Sequence, residues 1–335
     1  IPFIIAEMSG NHNQSLERAL AIVDAAADAG VDAVKIQTYT ADTMTIDIDT
    51  GEFFISDKDS LWKGETLYHL YEKAHTPWEW HKAIFERCKE RGIMGFSTPF
   101  DDTSVDFLED LGVPCYKIAS FENVDLPLIR KVARTGKPII ASTGMTTVAE
   151  LSDLVQTVRE NGCTDLTLLK CTSSYPASPE GTNLRTIPHM RELFGCAVGL
   201  SDHTLGIGAA VASVALGAAV IEKHFTLSRA EGGVDAAFSL EPAEMAQLVR
   251  ECRTAALALG TVSYERAEQE QKSLQFRRSL YVVEDMKAGD VFTEKNLRRI
   301  RPGMGLSPKY YDIILGKKAN CNITRGTAVQ WDLIE

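Results

Sequence analysis

The stretch Cys196-Ala-Val-Gly-Leu-Ser-Asp-His203, then residues 206–217, then Ala218-Ala-Val-Ile-Glu-Lys-His224, decides how this chain folds. Two apolar runs, 196–200 and 218–221, flank one helix length of small residues, and each run leads into a histidine. That order is strand, helix, strand, the unit from which parallel α/β sheets are built. In such folds the carboxyl ends of the strands lie side by side at the face where ligands bind. His203 and His224 therefore share that face, and two neutral imidazoles brought together there suit a divalent metal.

The same alternation extends outward from residue 1 to about residue 260. The apolar runs predict strands over 3–6, 33–37, 94–97, 115–118, 138–142, 166–170, 197–200 and 219–222. Helix-length amphipathic segments fill the intervals, and 242–258 supplies the last. Eight strands alternating with eight helices is the signature of a (β/α)8 TIM barrel. Gly30 and Gly136 stand where a left-handed helix cap is expected, and Ser15 is an N-cap. One interval is long: residues 40–76, with an aromatic-rich run within the 52–80 insert, form a wall or cover on the ligand face. The domains read as a barrel over 1–262, a polar helical linker over 263–275, and a small β-rich module over 276–335, marginal alone by core size.

Composition narrows the function. The chain has 335 residues, 44% hydrophobic, and a net charge of −11 that argues against nucleic acid or an anionic membrane as partner. No apolar run approaches the ~20 residues that span a bilayer. The first residues lack the basic flank of a signal peptide and read as a core strand, and the lack of an initiator methionine implies a few residues upstream. Seven scattered cysteines without a Cys-x-x-Cys pair fit reduced thiols in a cytoplasmic protein.

Period-2 geometry selects the inward side chains. Lys35 and Gln37 share a face, as do Glu222 and His224, while Lys223 points the other way. A single histidine at a strand end is ordinarily a hydrogen-bonded rim residue. Two on neighbouring strands, with Glu222 one layer below His224 to orient a metal-bound water or the ring, read as a metal site. Glu7 ends the first strand, where an unpaired carboxylate is costly to bury, so it reads as a general base or a substrate hydroxyl acceptor. Lys35 and Lys117 suit a Schiff-base nucleophile or an anion clamp. Their convergence with Ser97, Thr98, Ser120, Ser142 and Ser201 favours the clamp, for a phosphate and a carboxylate.

These residues fall in a recognisable set. Ala6-Glu-Met-Ser-Gly-Asn-His-Asn, Val34-Lys-Ile-Gln-Thr, Phe96-Ser-Thr-Pro-Phe100, Tyr116-Lys-Ile-Ala-Ser-Phe-Glu122, Ile140-Ala-Ser-Thr-Gly-Met145, Gly199-Leu-Ser-Asp-His-Thr-Leu205, Glu222-Lys-His-Phe-Thr226 and Arg301-Pro-Gly303 occur in order along the chain. On these motifs the sequence resembles the sialic acid synthase family, phosphoenolpyruvate-dependent enzymes that make nine-carbon sugar acids. The last sixty residues resemble the family's antifreeze-like (SAF) domain.

The resemblance implies a C–C bond-forming transferase. It implies His203 and His224 as ligands of a divalent metal of the Mn2+ type, with Mg2+ or Co2+ as alternatives. It implies Lys35, Thr98, Lys117, Ser120, Ser142 and Ser201 as phosphoenolpyruvate-binding positions. Ser173 stands where the family often has Asn. Glu7, Gln37, Tyr175 and Asp235 match positions around an N-acetylated amino sugar. Arg301 matches an arginine that reaches into a partner's site, implying a domain-swapped homodimer. The insert, Phe238 and the 232–242 segment look most like pseudaminic acid synthases, which take a 2,4-diacetamido-2,4,6-trideoxy sugar. Alternatives are an N-acetylneuraminate or legionaminate synthase, a lysine-dependent aldolase, or a non-catalytic carbohydrate- or ice-binding protein.

Overall fold

Eight parallel strands close on themselves: β1 (Phe3–Glu7), β2 (Ala33–Thr38), β3 (Met94–Pro99), β4 (Tyr116–Ile118), β5 (Ile139–Ser142), β6 (Leu166–Cys171), β7 (Ala197–Asp202) and β8 (Val220–His224). The structure is a computed structural model and describes residues 1–58 and 60–335. It is a TIM barrel, as expected, with helices on the outside. Several strands run a residue or more past the apolar runs that predicted them, because closure gives backbone partners even to polar residues. Glu7, Asp202 and His224 are thereby in strands. β1 closes on β8 with Glu7 in register with His224, and on its other side Glu7 is in register with Lys35.

The inward side chains change character in one step. Ile5, Ala33, Phe96, Cys115, Leu169 and Val220 form a buried plug, with Phe3 and Ile140 packed against it. Two residues further along these strands stand Glu7, Lys35, Thr98, Lys117, Cys171, Glu222 and, after Ile140, Ser142. Period 2 therefore stacks a polar layer directly on an apolar one. The outward side chains of the same strands, such as Ile4, Val34, Ile36, Ile118, Leu200 and Ile221, pack under the helices. Gly199 on β7 has to be glycine, since a Cβ would lie 2.1 Å from the Val220 carbonyl oxygen.

Caps fix where the helices start. Ser15 accepts from the Arg18 amide at the head of helix Leu16–Asp28, and Thr147 and Glu150 cap helix Val148–Glu160 reciprocally. Gly30 and Gly136 take φ values of +85° and +72°, the left-handed turns their sequence context predicted. The long interval after β2 contains helix Leu67–Ala74; Asp59 within it lies outside the described residues. No helix of the described residues is long and apolar enough to cross a membrane.

The chain divides into two units, Ile1–Gly260 and Thr261–Glu335. In the second unit the polar stretch expected to be helical over 263–275 is a 3-10 helix over Glu268–Phe276. Alternating charge without an apolar face gives an α-helix nothing to bury. β9 (Ser279–Val282) and β10 (Leu297–Ile300) pair antiparallel over a small core containing Leu280, Phe292, Ile314 and Val329. Arg301 directly follows β10 and is exposed.

Candidate active site

At the carboxyl ends of the barrel strands, charged side chains alternate in a buried line. Lys35 Nζ lies 2.7 Å from Glu7 Oε2 and 3.7 Å from Glu222 Oε1, and it donates to Thr98 Oγ1 at 3.1 Å. Gln37 donates to Glu7 Oε1 at 3.0 Å. Glu222 Oε1 is also 3.8 Å from Lys117 Nζ and accepts from Ser201 Oγ at 3.5 Å, and Lys117 donates to Ser142 Oγ at 2.6 Å. The contacts of Glu222 are thus to the lysines and Ser201.

The two carboxylates are pushed apart. Burial raises Glu7 to about 7, with Lys35 opposing and Glu222 adding to the rise. Burial also acts to raise Glu222, but Lys117 and Lys35 on either side hold it below the usual carboxylate range. Burial pulls Lys117 down, while for Lys35 the charges of Glu222 and Glu7 outweigh burial and raise it. Two titratable groups separated in this way are a pairing that acid–base chemistry can use.

Beside the lysines lies a cluster of hydroxyls. The Gly144 amide donates to Ser120 Oγ at 3.1 Å. A Cβ on Gly144 would fall 2.1 Å from Ser173 Oγ and 2.7 Å from Ser120 Oγ, so the two hydroxyls take the place of a side chain there. Asn123 holds the backbone there by donating to the carbonyls of Ser142 and Gly144 at 3.2 and 3.1 Å. Two lysines and several hydroxyls can receive an oxyanion.

His203 and His224 meet with ring centroids 5.4 Å apart. His203 Nδ1 lies 2.9 Å from the Thr172 carbonyl, which can only accept, so Nδ1 carries a proton. Burial lowers His224 well below its ordinary value, helped by the charge of His203, and its buried Nδ1 has no hydrogen-bond partner among the described residues. For His203, burial is outweighed by Cys171 and Thr172, which raise it. Two imidazoles with nitrogens to spare fit a divalent cation whose other ligands are not protein. No group of three or more His, Cys, Asp or Glu suited to a metal occurs among the described residues. Aromatic rings surround the pair: Tyr175 is 4.4 Å from His203, and Phe238 is 4.9 Å from His224. Asp235 Oδ2 lies 3.8 Å from His224 Nδ1 and is bonded by the Ser9 hydroxyl.

The barrel thus brings together Glu7, Lys35, Gln37, Thr98, Lys117, Ser120, Ser142, Ser173, Tyr175, Ser201, His203, Glu222, His224, Asp235 and Phe238. Arg301 belongs to the second unit. Several members escape sequence reading. Ser9 is left-handed (φ 46°) just past β1, a conformation no serine advertises. Cys171 stands 3.9 Å from His203 Nδ1; burial raises its thiol, but His203 brings it down to about 7. Glu122, two residues past Ser120, is raised to about 7 by burial, and its buried Oε2 has no hydrogen-bond partner among the described residues. Cys171 had a findable signal, since it lies two residues past the inward Leu169.

Comparison with known proteins follows the same division. Residues 22–264 match the NeuB family and residues 277–335 the SAF domain. A pseudaminic acid synthase of Campylobacter jejuni subsp. jejuni (strain 81-176) is 46% identical over 328 residues, 98% of this chain and 95% of the relative. A pseudaminic acid synthase of Helicobacter pylori is 43% identical over 338 residues, 100% of this chain and 98% of that one. Among solved structures, the N-acetylneuraminic acid synthetase of Leptospira borgpetersenii in complex with citrate superposes with a TM-score of 0.72 at 32% identity. That match covers 83% of this chain and 92% of that one.

Proposed function

The chain belongs to the NeuB family, and from that premise we propose that it condenses phosphoenolpyruvate with an N-acetylated amino sugar to make a nonulosonic acid. The acceptor is 2,4-diacetamido-2,4,6-trideoxy-altropyranose and the product pseudaminic acid, with phosphate released. The carrying observation is the buried line of Glu7, Lys35, Glu222 and Lys117 at the strand ends, beside a cluster of hydroxyls and two imidazoles whose ring centroids are 5.4 Å apart.

Lys35 and Lys117, with Thr98, Ser120, Ser142, Ser173 and Ser201, bind and orient the carboxylate and phosphate of phosphoenolpyruvate. C3 of phosphoenolpyruvate attacks the aldehyde carbon of the open-chain sugar, and water adds at C2. Glu7 takes the proton of that water, a role its pKa near 7 suits. The bond from C2 to the phosphate oxygen then breaks as the C2 hydroxyl becomes the ketone, its proton leaving with the phosphate into the lysine and hydroxyl cluster, and the proton that Glu7 took passes to the oxygen of the former aldehyde. Glu222 fixes the lysines. Gln37, Tyr175, Asp235 and Phe238 line the acceptor. A divalent metal held by His203 and His224, Mn2+ in this reading, would polarise the acceptor aldehyde as a Lewis acid.

In the same reading Arg301 comes from a partner subunit of a homodimer, and the protein is cytoplasmic. Exposed apolar residues at the barrel mouth support a covering partner: Phe121, Met145 and Leu205 are each at least 60% exposed. Phosphate release across a panel of N-acetylated hexoses tests the reaction. Release that needs phosphoenolpyruvate, metal and the 6-deoxy diacetamido sugar together is the expected result, and turnover without phosphoenolpyruvate would refute it.

A further inference from the structure

The long interval after β2 doubles back as a short hairpin. Ile55 and Glu65 bond through backbone at 2.9 Å, Gly64 donates to the Ile55 carbonyl at 2.9 Å, and Trp62 stands in the turn between them. The base is tied down by the Lys73–Glu65 ion pair at 2.7 Å and by Gln14, which donates to the Lys73 and His75 carbonyls. Trp62 reaches the site from this anchored turn. Its Nε1 donates to the Val234 carbonyl at 2.9 Å, one residue before Asp235, and its ring centroid lies 6.4 Å from that of Tyr175.

We propose that Trp62 is a specificity-determining residue that selects the acceptor by its C6 substituent, favouring a methyl group over a hydroxymethyl group. This rests on the synthase reading above. An indole has one polar atom, a donor, and here the backbone of Val234 occupies it. The remainder offers the cleft only carbon. Trp62 thus extends the apolar surface begun by Phe238 and Tyr175, whose ring centroids are 5.2 Å apart. Glu7, Gln37 and Asp235 supply the polar side. A sugar with hydroxyls and amides along one edge and a bare methyl at its end matches that division. A carbon wall alone rejects an added hydroxyl by no more than ~100-fold, which sets the scale of the effect.

The test compares wild type, Trp62→Ala and Trp62→Phe by steady-state phosphate release, with saturating phosphoenolpyruvate and two acceptors. These are the 2,4-diacetamido-2,4,6-trideoxy hexose and the same sugar bearing a 6-hydroxyl. Wild type should prefer the 6-deoxy acceptor in kcat/KM by about 10- to 100-fold. Trp62→Ala should cut that ratio about tenfold, through acceptor KM and without a matching rise in the KM for phosphoenolpyruvate. Trp62→Phe keeps an apolar ring but loses the bond to Val234, and should retain most of the ratio. A ratio unmoved in both variants, with both acceptors slowed equally, makes Trp62 a prop for the Asp235 loop and overturns the inference alone. A wild-type enzyme that releases no phosphate with either sugar overturns the synthase reading and the inference with it.

Discussion

Glu7 Oε2 lies 2.7 Å from Lys35 Nζ, yet Glu7 titrates near 7, because its buried position outweighs a lysine shared with Glu222. A carboxylate so placed is ionised only above about 7. As a base it works when deprotonated, so kcat/KM should rise with pH through about 7 and level off above it. Glu7→Gln should lower kcat by ~10²–10⁴-fold while phosphoenolpyruvate still binds. Rate profiles between pH 5 and 9, with calorimetric binding of phosphoenolpyruvate, check both.

Gly144→Ala places a methyl group where the Ser120 and Ser173 hydroxyls now lie. The two hydroxyls must rotate away, so the KM for phosphoenolpyruvate should rise about tenfold, the equivalent of one hydrogen bond to a charged group. Acceptor KM should move little. Steady-state kinetics with each substrate varied in turn gives the answer.

Lys223 and Asp202 form a fully buried pair at 2.8 Å on the outward face of β7 and β8, away from the chemistry. Lys223→Met removes the cation facing Asp202, which keeps hydrogen bonds from the Thr204 amide and hydroxyl, and should cost ~3–5 kcal/mol. For a unit of this size the melting temperature should fall by about 10 °C. The accompanying change Asp202→Leu should recover part of the loss. Thermal denaturation of the single and double variants measures it.

His203 and His224 join adjacent strands already paired through backbone, so a metal there holds substrate more than it holds the fold. Chelation should abolish turnover, and added Mn2+ should restore it, with the circular dichroism spectrum unchanged. Metal should raise the melting temperature only as far as its binding free energy at the concentration used. A collapse of the barrel on chelation contradicts this assignment.

If Arg301 serves a partner's site, two inactive proteins should rescue one another. Glu7→Gln and Arg301→Ala chains, unfolded together and refolded as a mixture, should regain activity that neither shows alone. Mixed chains without regained activity would place Arg301 outside any shared site.

Strand positions were readable because a closed parallel barrel buries both faces of every strand, and such strands are written as apolar runs. The inward layer was readable too: once Ile5, Ala33 and Val220 are core, period 2 delivers Glu7, Lys35 and Glu222. What stayed hidden depends on conformation off the strands. Trp62 reaches Val234 across a loop no periodicity describes, and Ser9 approaches Asp235 only because its backbone is left-handed. The partners of Glu222 were hidden for another reason: which neighbours a buried carboxylate chooses depends on the strand stagger, and here the stagger offers lysines.

Closure of β1 on β8 has a consequence for how the enzyme comes into being. Glu7 and His224 are neighbours across that seam, although one stands in the first strand of the barrel and the other in the last. A nascent chain lacking β8 leaves the edges of β1 and β7 unpaired and exposed. It can hold the lysines but not the completed mouth. A chain that stops before β8 therefore has neither a closed barrel nor a complete site.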